Sequence, residues 1–273
     1  MVDILSVVLQ RFGPLVQAGR DIKLSSEAES GTLVVGDENI NRSLLFLTAL
    51  TAASEMAYKV LFFTQNQFQR LPVTVQDSSL KPEILKKIRF VYPKTLEELL
   101  EDIASLHELV PETAPLPSLL IIDGVERYFK DRPQQDSQST AAHIVALLHD
   151  TATFLRARNE KCQQPPCRVI VSYQPEGEGQ GGDVYAPDSV LLVLERYLQV
   201  RCNLHKVINE EVENAWLLYL SGTGLQVEGL GNGERCLGLQ WRVVLQPNGT
   251  LEFRPESTPI EDQVQHSECG NKT

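Results

Sequence analysis

The feature that most constrains this chain is a repeated alternation between short apolar runs and stretches of helical character. Five runs are dense in apolar and β-favouring residues: Thr32–Gly36, Lys59–Thr64, Ile88–Tyr92, Ser118–Asp123 and Arg168–Ser172. Between them lie 42–57, rich in Leu and Ala, a short stretch from Glu83 to Lys87, 95–108, and an amphipathic stretch from about Thr140 to Arg158. Thr95 suits an N-cap, and acids follow it in the first turn. Strands separated by helices join as right-handed crossovers in a parallel sheet. Near-continuous apolar strands agree, because helices cover such a sheet on both faces. The expected fold class is therefore α/β with a mostly parallel central sheet.

Beyond residue 174 the pattern changes. Residues 175–187 are Gly-rich, acidic and without apolar period, and are predicted to form a loop. A short helix at Ser189 to Leu194 is followed by β-like runs at Tyr197–Leu204, Ala215–Ser221, Gln240–Leu245 and Thr250–Phe253. The last two flank Gln246-Pro247-Asn248-Gly249, a hairpin turn in which Asn-Gly suits positive φ. We read one domain over 31–254 that ends in antiparallel strands. Residues 1–30 are read as an N-terminal extension. In it Ile4, Leu5, Val8, Leu9, Phe12, Leu15 and Val16 have amphipathic helical spacing, interrupted at Gly13-Pro14. That helix either packs on its own domain or docks a partner. The polar tail, 255–273, is expected to fray.

Charge and cysteine usage bound the function. No apolar run approaches the roughly 18 residues a membrane span needs, so no membrane role is expected. Met1-Val2-Asp3 supplies no basic region of a secretory signal. Five scattered Cys fit a reducing compartment. The net charge is −11, which excludes nucleic-acid binding through the overall field. It is uneven: 18 basic residues face 21 acidic ones over 1–173, whereas 7 face 15 beyond. The 175–187 loop carries Glu176, Glu178 and Asp183 with no Lys or Arg, and Tyr185 alone could stack on a base.

Two motifs carry the chemistry. Gly36-Asp37-Glu38-Asn39-Ile40-Asn41-Arg42-Ser43 lies between the first strand and helix, where a phosphate-binding loop reads GxxxxGK[ST]. Gly36 and Ser43 fit that pattern. Asn41 replaces the second Gly and Arg42 the Lys. Asn tolerates left-handed backbone better than other non-Gly residues, but a guanidinium is bulkier than an ammonium. Asp37 and Glu38 stand where a polyphosphate would arrive. A plain strand-to-helix turn is the alternative reading. The second motif, Leu119-Leu-Ile-Ile-Asp123, has the form of a strand that ends in a Mg²⁺-holding Asp. The two stand in the right order for one site at the carboxyl edge of the sheet.

Other patterns are weaker. Cys162 with Cys167, and Cys202 with His205, lack a second pair at zinc-finger spacing, so no zinc is expected in this chain. Phe46-Leu-Thr-Ala49 matches an FxxA docking signature but falls inside a helix, where a core-facing chance match is expected. Lys81, Lys86, Lys87, Arg89 and Lys94, and separately Arg196, Arg201 and Lys206, are the basic residues that could meet DNA phosphates.

At this point a resemblance enters. Leu119 to Gly124, Tyr128-Phe129, the 140–158 helix and Arg168-Val-Ile-Val-Ser-Tyr-Gln174 resemble the RecA-type recombinase ATPase core. Leu85 to Pro93, Pro117 to Gly124 and Ala146 to Ala152 more closely resemble the ATPase-like recombinase paralogues of the animal Shu-type complex, which associate with SWIM-type zinc-finger proteins. The likeness spans about 31–254. It implies a RecA-like P-loop core with a terminal hairpin, and a nuclear factor of homologous-recombination DNA repair. It also implies a SWIM-type zinc-finger partner that carries the zinc, contact with the recombinase and its paralogues, and binding of single-stranded DNA, which the few basic and aromatic residues of this chain lead us to expect to be weak. ATP and Mg²⁺ would lie at Gly36, Asn41, Arg42, Ser43 and Asp123, with Ser43 and Asp123 on the metal. Gln174 matches the family's γ-phosphate sensor, while Gln65 stands where the general base is a Glu. An amide cannot accept a proton at neutral pH. Three functions follow: a recombination subunit whose ATPase fold is an interaction platform, a slow single-stranded-DNA-stimulated ATPase, or a P-loop nucleotide kinase. The missing lid arginines and the antiparallel C-terminal strands argue against the kinase.

Overall fold

Strand residues in the centre of this molecule alternate between two separate apolar cores. In the computed structural model, residues 4–12, 22–24, 31–68, 81–108, 116–129, 134–175, 188–207, 214–222, 225–227, 240–246 and 251–256 are described. The elements in chain order are α1 (Ile4–Phe12), β1 (Ile22–Leu24), β2 (Gly31–Val35), α2 (Glu38–Glu55), β3 (Val60–Thr64), α3 (Pro82–Leu85), β4 (Ile88–Val91), α4 (Leu96–Ala104), β5 (Leu119–Asp123), α5 (Gln134–Lys161), β6 (Arg168–Tyr173), α6 (Ser189–Tyr197), β7 (Val200–Lys206), β8 (Ala215–Ser221), β9 (Leu225–Val227), β10 (Gln240–Leu245) and β11 (Leu251–Glu256).

A nine-stranded sheet runs β11-β10-β8-β7-β2-β6-β5-β3-β4. The run from β7 to β4 is parallel throughout, and β8, β10 and β11 extend it antiparallel. Val34, Phe62, Ile121 and Ile170 face a core built with α1 and α2. Leu33, Val35, Leu61, Phe63, Leu120, Ile122, Val169 and Val171 face a second core built with α4, α5 and α6. Alternate residues of each strand thus serve opposite faces, as the pleat requires. The α/β class with a parallel centre and antiparallel C-terminal strands is borne out.

The differences have local causes. The helix expected from residue 42 begins at Glu38, because the Asp37 side chain accepts a hydrogen bond from Asn39 N at 3.0 Å and caps it there. The strand expected from Tyr197 begins at Val200. Asp188 caps α6 through Val190 N and Leu191 N, and that helix runs on to Tyr197. The pairing of β1 with β9 was not legible, since three residues each carry no readable period. Residues 247–250 of the expected hairpin turn, the 176–187 part of the loop and most of the tail lie outside the described residues.

The N-terminal helix does not stand apart. Ile4, Leu5, Val8 and Leu9 are buried in the α2-side core, and Phe12 lies 6.5 Å from Phe253 of β11. Arg11 bonds Ser54 and pairs with Glu55 at the end of α2. Its apolar face is spent on the domain itself, which corrects the docking role considered above for that stretch. Phe46 and Ala49 are fully buried, in line with the core reading of the FxxA match.

Candidate functional site

The carboxyl ends of β2, β3, β5 and β6 meet at one edge, and among the described residues there Asp123, at 1% exposure, is the most deeply buried ionisable group. Parallel register sets Thr64 beside it, and Thr64 Oγ1 donates to Asp123 Oδ2 at 2.8 Å. Two guanidiniums approach the same oxygen: Arg127 Nη1 at 3.6 Å and Arg42 Nε at 3.8 Å. Arg127 also pairs with Glu38 at 3.0 Å. Burial pushes the Asp123 carboxyl above its ordinary range, while Arg127, the Thr64 hydroxyl and Arg42 oppose the shift. Among the described residues Asp123 Oδ1 has no hydrogen-bond donor.

Gly36 and Asp37 alone separate β2 from α2. A phosphate cradle needs several loop residues whose N–H groups converge. Here residues 38–41 are already helical, and the Asp37 carboxylate holds a first-turn N–H. Asn41 is buried and donates through Nδ2 to Gly36 O at 2.9 Å and Tyr173 O at 3.4 Å. Ser43 Oγ donates to Asn39 O at 2.9 Å. Arg42 donates to Asn66 O and lies over the Phe68 ring at 4.3 Å. Gly36 has a packing reason, since a Cβ there would come within 2.7 Å of Leu204 Cβ.

The other expected residues sit at the same edge. Gln65 Nε2 donates to Lys94 O at 3.2 Å, and Lys94 Nζ donates to Gln65 O. Gln174 N donates to Glu126 Oε2 at 3.2 Å. Burial raises the Glu126 carboxyl to about 7 against hydrogen bonds that favour its charged form. Gly124 takes φ +73 just after Asp123, and its N–H donates to Ser172 Oγ at 2.8 Å, which ties the end of β5 to β6.

The basic residues expected to meet DNA lie on different elements. Arg196 is exposed on α6 and Lys206 is exposed at the end of β7. Arg201 is half-buried and paired with Glu195. Positions 201 and 206 project to opposite faces of one strand, about 17 Å apart along it. Of the earlier group, Lys81, Lys86 and Arg89 are exposed, while Lys87 Nζ donates to Ala53 O at 3.1 Å.

Comparison with known proteins decides the family. The chain is 33% identical over 220 residues to a Homo sapiens protein named ATPase SWSAP1, across 81% of this chain and 86% of that protein. It is 30% identical over 246 residues to the Mus musculus protein of the same name, across 85% of this chain and 76% of that protein. The chain belongs to the SWSAP1 family. No family model matches it. The expected kinship with RecA-like recombinase paralogues therefore holds.

For this SWSAP1-family chain the site can be tested against ATP and Mg²⁺, which the resemblance implied. The residues do not fit the nucleotide: there is no open loop, Asn41 and Ser43 bond backbone carbonyls, and Arg42 is held by Asn66, Phe68 and Asp123. Among the described residues at this edge, the unpartnered Oδ1 of Asp123 has the character of a cation ligand. Among the described residues no group of three His, Cys, Asp or Glu could hold a metal, and no helix is long and apolar enough to cross a membrane. Sequence reasoning missed Thr64, Glu126 and Arg127. The spacing of Arg127 four residues after Asp123 was a readable signal, because a turn brings such positions together.

Proposed function

We propose that this chain is a recombination subunit, a recombinase paralogue whose ATPase-type fold serves as an interaction platform in the nucleus. It pairs with a SWIM-type zinc-finger protein, contacts the recombinase and its paralogues, and promotes or stabilises recombinase assembly on single-stranded DNA. The observation that carries this reading is Arg42. By the GxxxxGK[ST] pattern it stands where the Lys would be, and its guanidinium is committed to Asn66 O and the Phe68 ring. Gln65 stands where the family's general base is a Glu, and its amide cannot accept a proton at neutral pH. Dispersed, partly paired cations support weak, salt-sensitive DNA contact, with basic partners supplying most of the affinity.

Co-expression with a SWIM-type zinc-finger protein tests the proposal. A stable heterodimer is expected, and a pull-down that shows no association with either that protein or the recombinase overturns it. A second reading, a slow ATPase, draws on the relatives' name and on the unpartnered Asp123 oxygen. It requires that any turnover fall in Asp123→Ala, and turnover that survives that change belongs to a contaminant.

A further inference from the structure

The edge of the sheet holds an arrangement that neither the sequence motifs nor the relatives' name describes. Two carboxylates, Asp123 and Glu38, and two guanidiniums, Arg42 and Arg127, are linked in one chain of ion pairs. Arg42 approaches Asp123 at 3.8 Å, Arg127 approaches Asp123 at 3.6 Å, and Arg127 meets Glu38 at 3.0 Å. The formal charges balance. The side chains of Arg42 and Arg127 are 17% and 12% exposed, so water screens them little, and Asp123 is 1% exposed.

We propose that this quartet is a resident substitute for nucleotide and metal, a self-neutralised cluster that holds the carboxyl edge in its folded form with neither bound. Each part answers one electrostatic demand of such a site. Arg127 supplies the positive charge that a buried carboxylate at the end of a strand needs. Glu38 supplies the negative charge that an arginine at the mouth of the site would otherwise find on a ligand. Asp37 supplies the anion that the positive end of α2 attracts, through its bond to Asn39 N. Arg42 closes the set: its guanidinium bonds Asn66 O and covers Phe68, and so ties the segment after β3 to the start of α2. The cluster thereby joins α2, the β3 exit and the turn after β5. Gly124, in left-handed conformation, is what lets that turn bring Arg127 back onto Asp123, because a Cβ there would lie 2.6 Å from Arg127 Cζ.

This inference does not depend on the partner reading, since a chain with or without the cluster could still pair with a zinc-finger protein. The test is thermal unfolding of the full chain, with and without millimolar Mg²⁺ and ATP, for the parent, Arg127→Gln, Asp123→Asn and the double variant. The parent Tm is expected to stay unchanged on addition of Mg²⁺ or of ATP with Mg²⁺. Arg127→Gln is expected to lower Tm by roughly 5–10 °C, because it strands a buried carboxylate. Adding Asp123→Asn should recover at least half of that loss. Should the Gln variant not fold, Arg127→Lys keeps the charge and is expected to give a smaller loss, which adding Asp123→Asn should deepen rather than recover, because the Lys cation then loses its partner; recovery there overturns the proposal. A saturable rise in the parent Tm with ATP and Mg²⁺ overturns the proposal. Additive losses in the double variant also overturn it, since the two residues would then not act on one another.

Discussion

Rebuilding the phosphate-binding pattern in this chain, by Asn41→Gly with Arg42→Lys, separates a damaged site from one that has been put to another use. A damaged site should improve. The structure predicts the reverse. Asn41 is 2% exposed, and its Nδ2 bonds Gly36 O and Tyr173 O. Loss of those two bonds costs about 1 kcal/mol each, and a Gly inside a helix adds several tenths more. Arg42→Lys gives up the planar stack on Phe68 and weakens the bond to Asn66 O, together about 1–2 kcal/mol. The double variant should therefore lose about 3.5–4.5 kcal/mol, which for a chain of this size lowers Tm by roughly 7–18 °C. Urea denaturation gives the first number, and thermal unfolding with and without ATP and Mg²⁺ tests binding. A ligand at 100 times its Kd would return about 2.7 kcal/mol. A variant as stable as the parent, or one whose Tm climbs and saturates with added ATP, refutes the reasoning, because the loop would then be free to open.

Three further outcomes follow from individual residues. Burial raises Glu126 to about 7 from an ordinary 4.5, so the folded state holds its proton more tightly than the unfolded chain between those values. Its contribution to stability is full at or below pH 4.5 and is lost as pH rises through about 7, by up to about 3 kcal/mol. Glu126→Gln should flatten that part of the stability profile and be the more stable protein at pH 8; parallel profiles over pH 4.5–8 contradict this. Gly124→Ala forces a side chain into φ +73 and against Arg127, at a cost of about 1–3 kcal/mol, and an unchanged urea midpoint excludes it. Leu5, 1% exposed in α1, should cost about 2–5 kcal/mol on truncation to Ala. If instead that variant keeps its stability and loses only partner capture, the helix docks elsewhere.

The parts of the fold legible in the sequence are those whose signal is local. Runs such as Leu119-Leu-Ile-Ile and Val169-Ile-Val are apolar on both faces because both faces are covered, and the sequence shows that without any knowledge of their neighbours. The start of α2 was readable in principle from Asp37, a good N-cap, but a motif that reserves residues 37–41 for a loop pointed the other way. The packing of α1 was undecided for a physical reason. An apolar stripe shows that a helix must be covered, not by what, and here the cover comes from α2 and from Phe253, more than 200 residues away.

The site was legible at one level and not at the next. Motif order placed Gly36 and Asp123 at one edge, and the family resemblance added Gln65 and Gln174 there, because parallel strands all end at that edge. What those residues do is set by register and by turns. Thr64 lies beside Asp123 only because β3 and β5 align at that pair, and Arg127 returns to Asp123 only because Gly124 adopts a positive φ. The same two facts decide the chemistry. A carboxylate at the end of a strand is a metal ligand when its neighbours are neutral and water reaches it. With a hydroxyl and two guanidiniums around it, the same carboxylate becomes the anchor of an ion-pair cluster. A degenerate motif is thus not simply a weakened version of the intact one. The Asn and Arg that replace Gly and Lys make contacts that an intact loop would have to break before it could receive a phosphate.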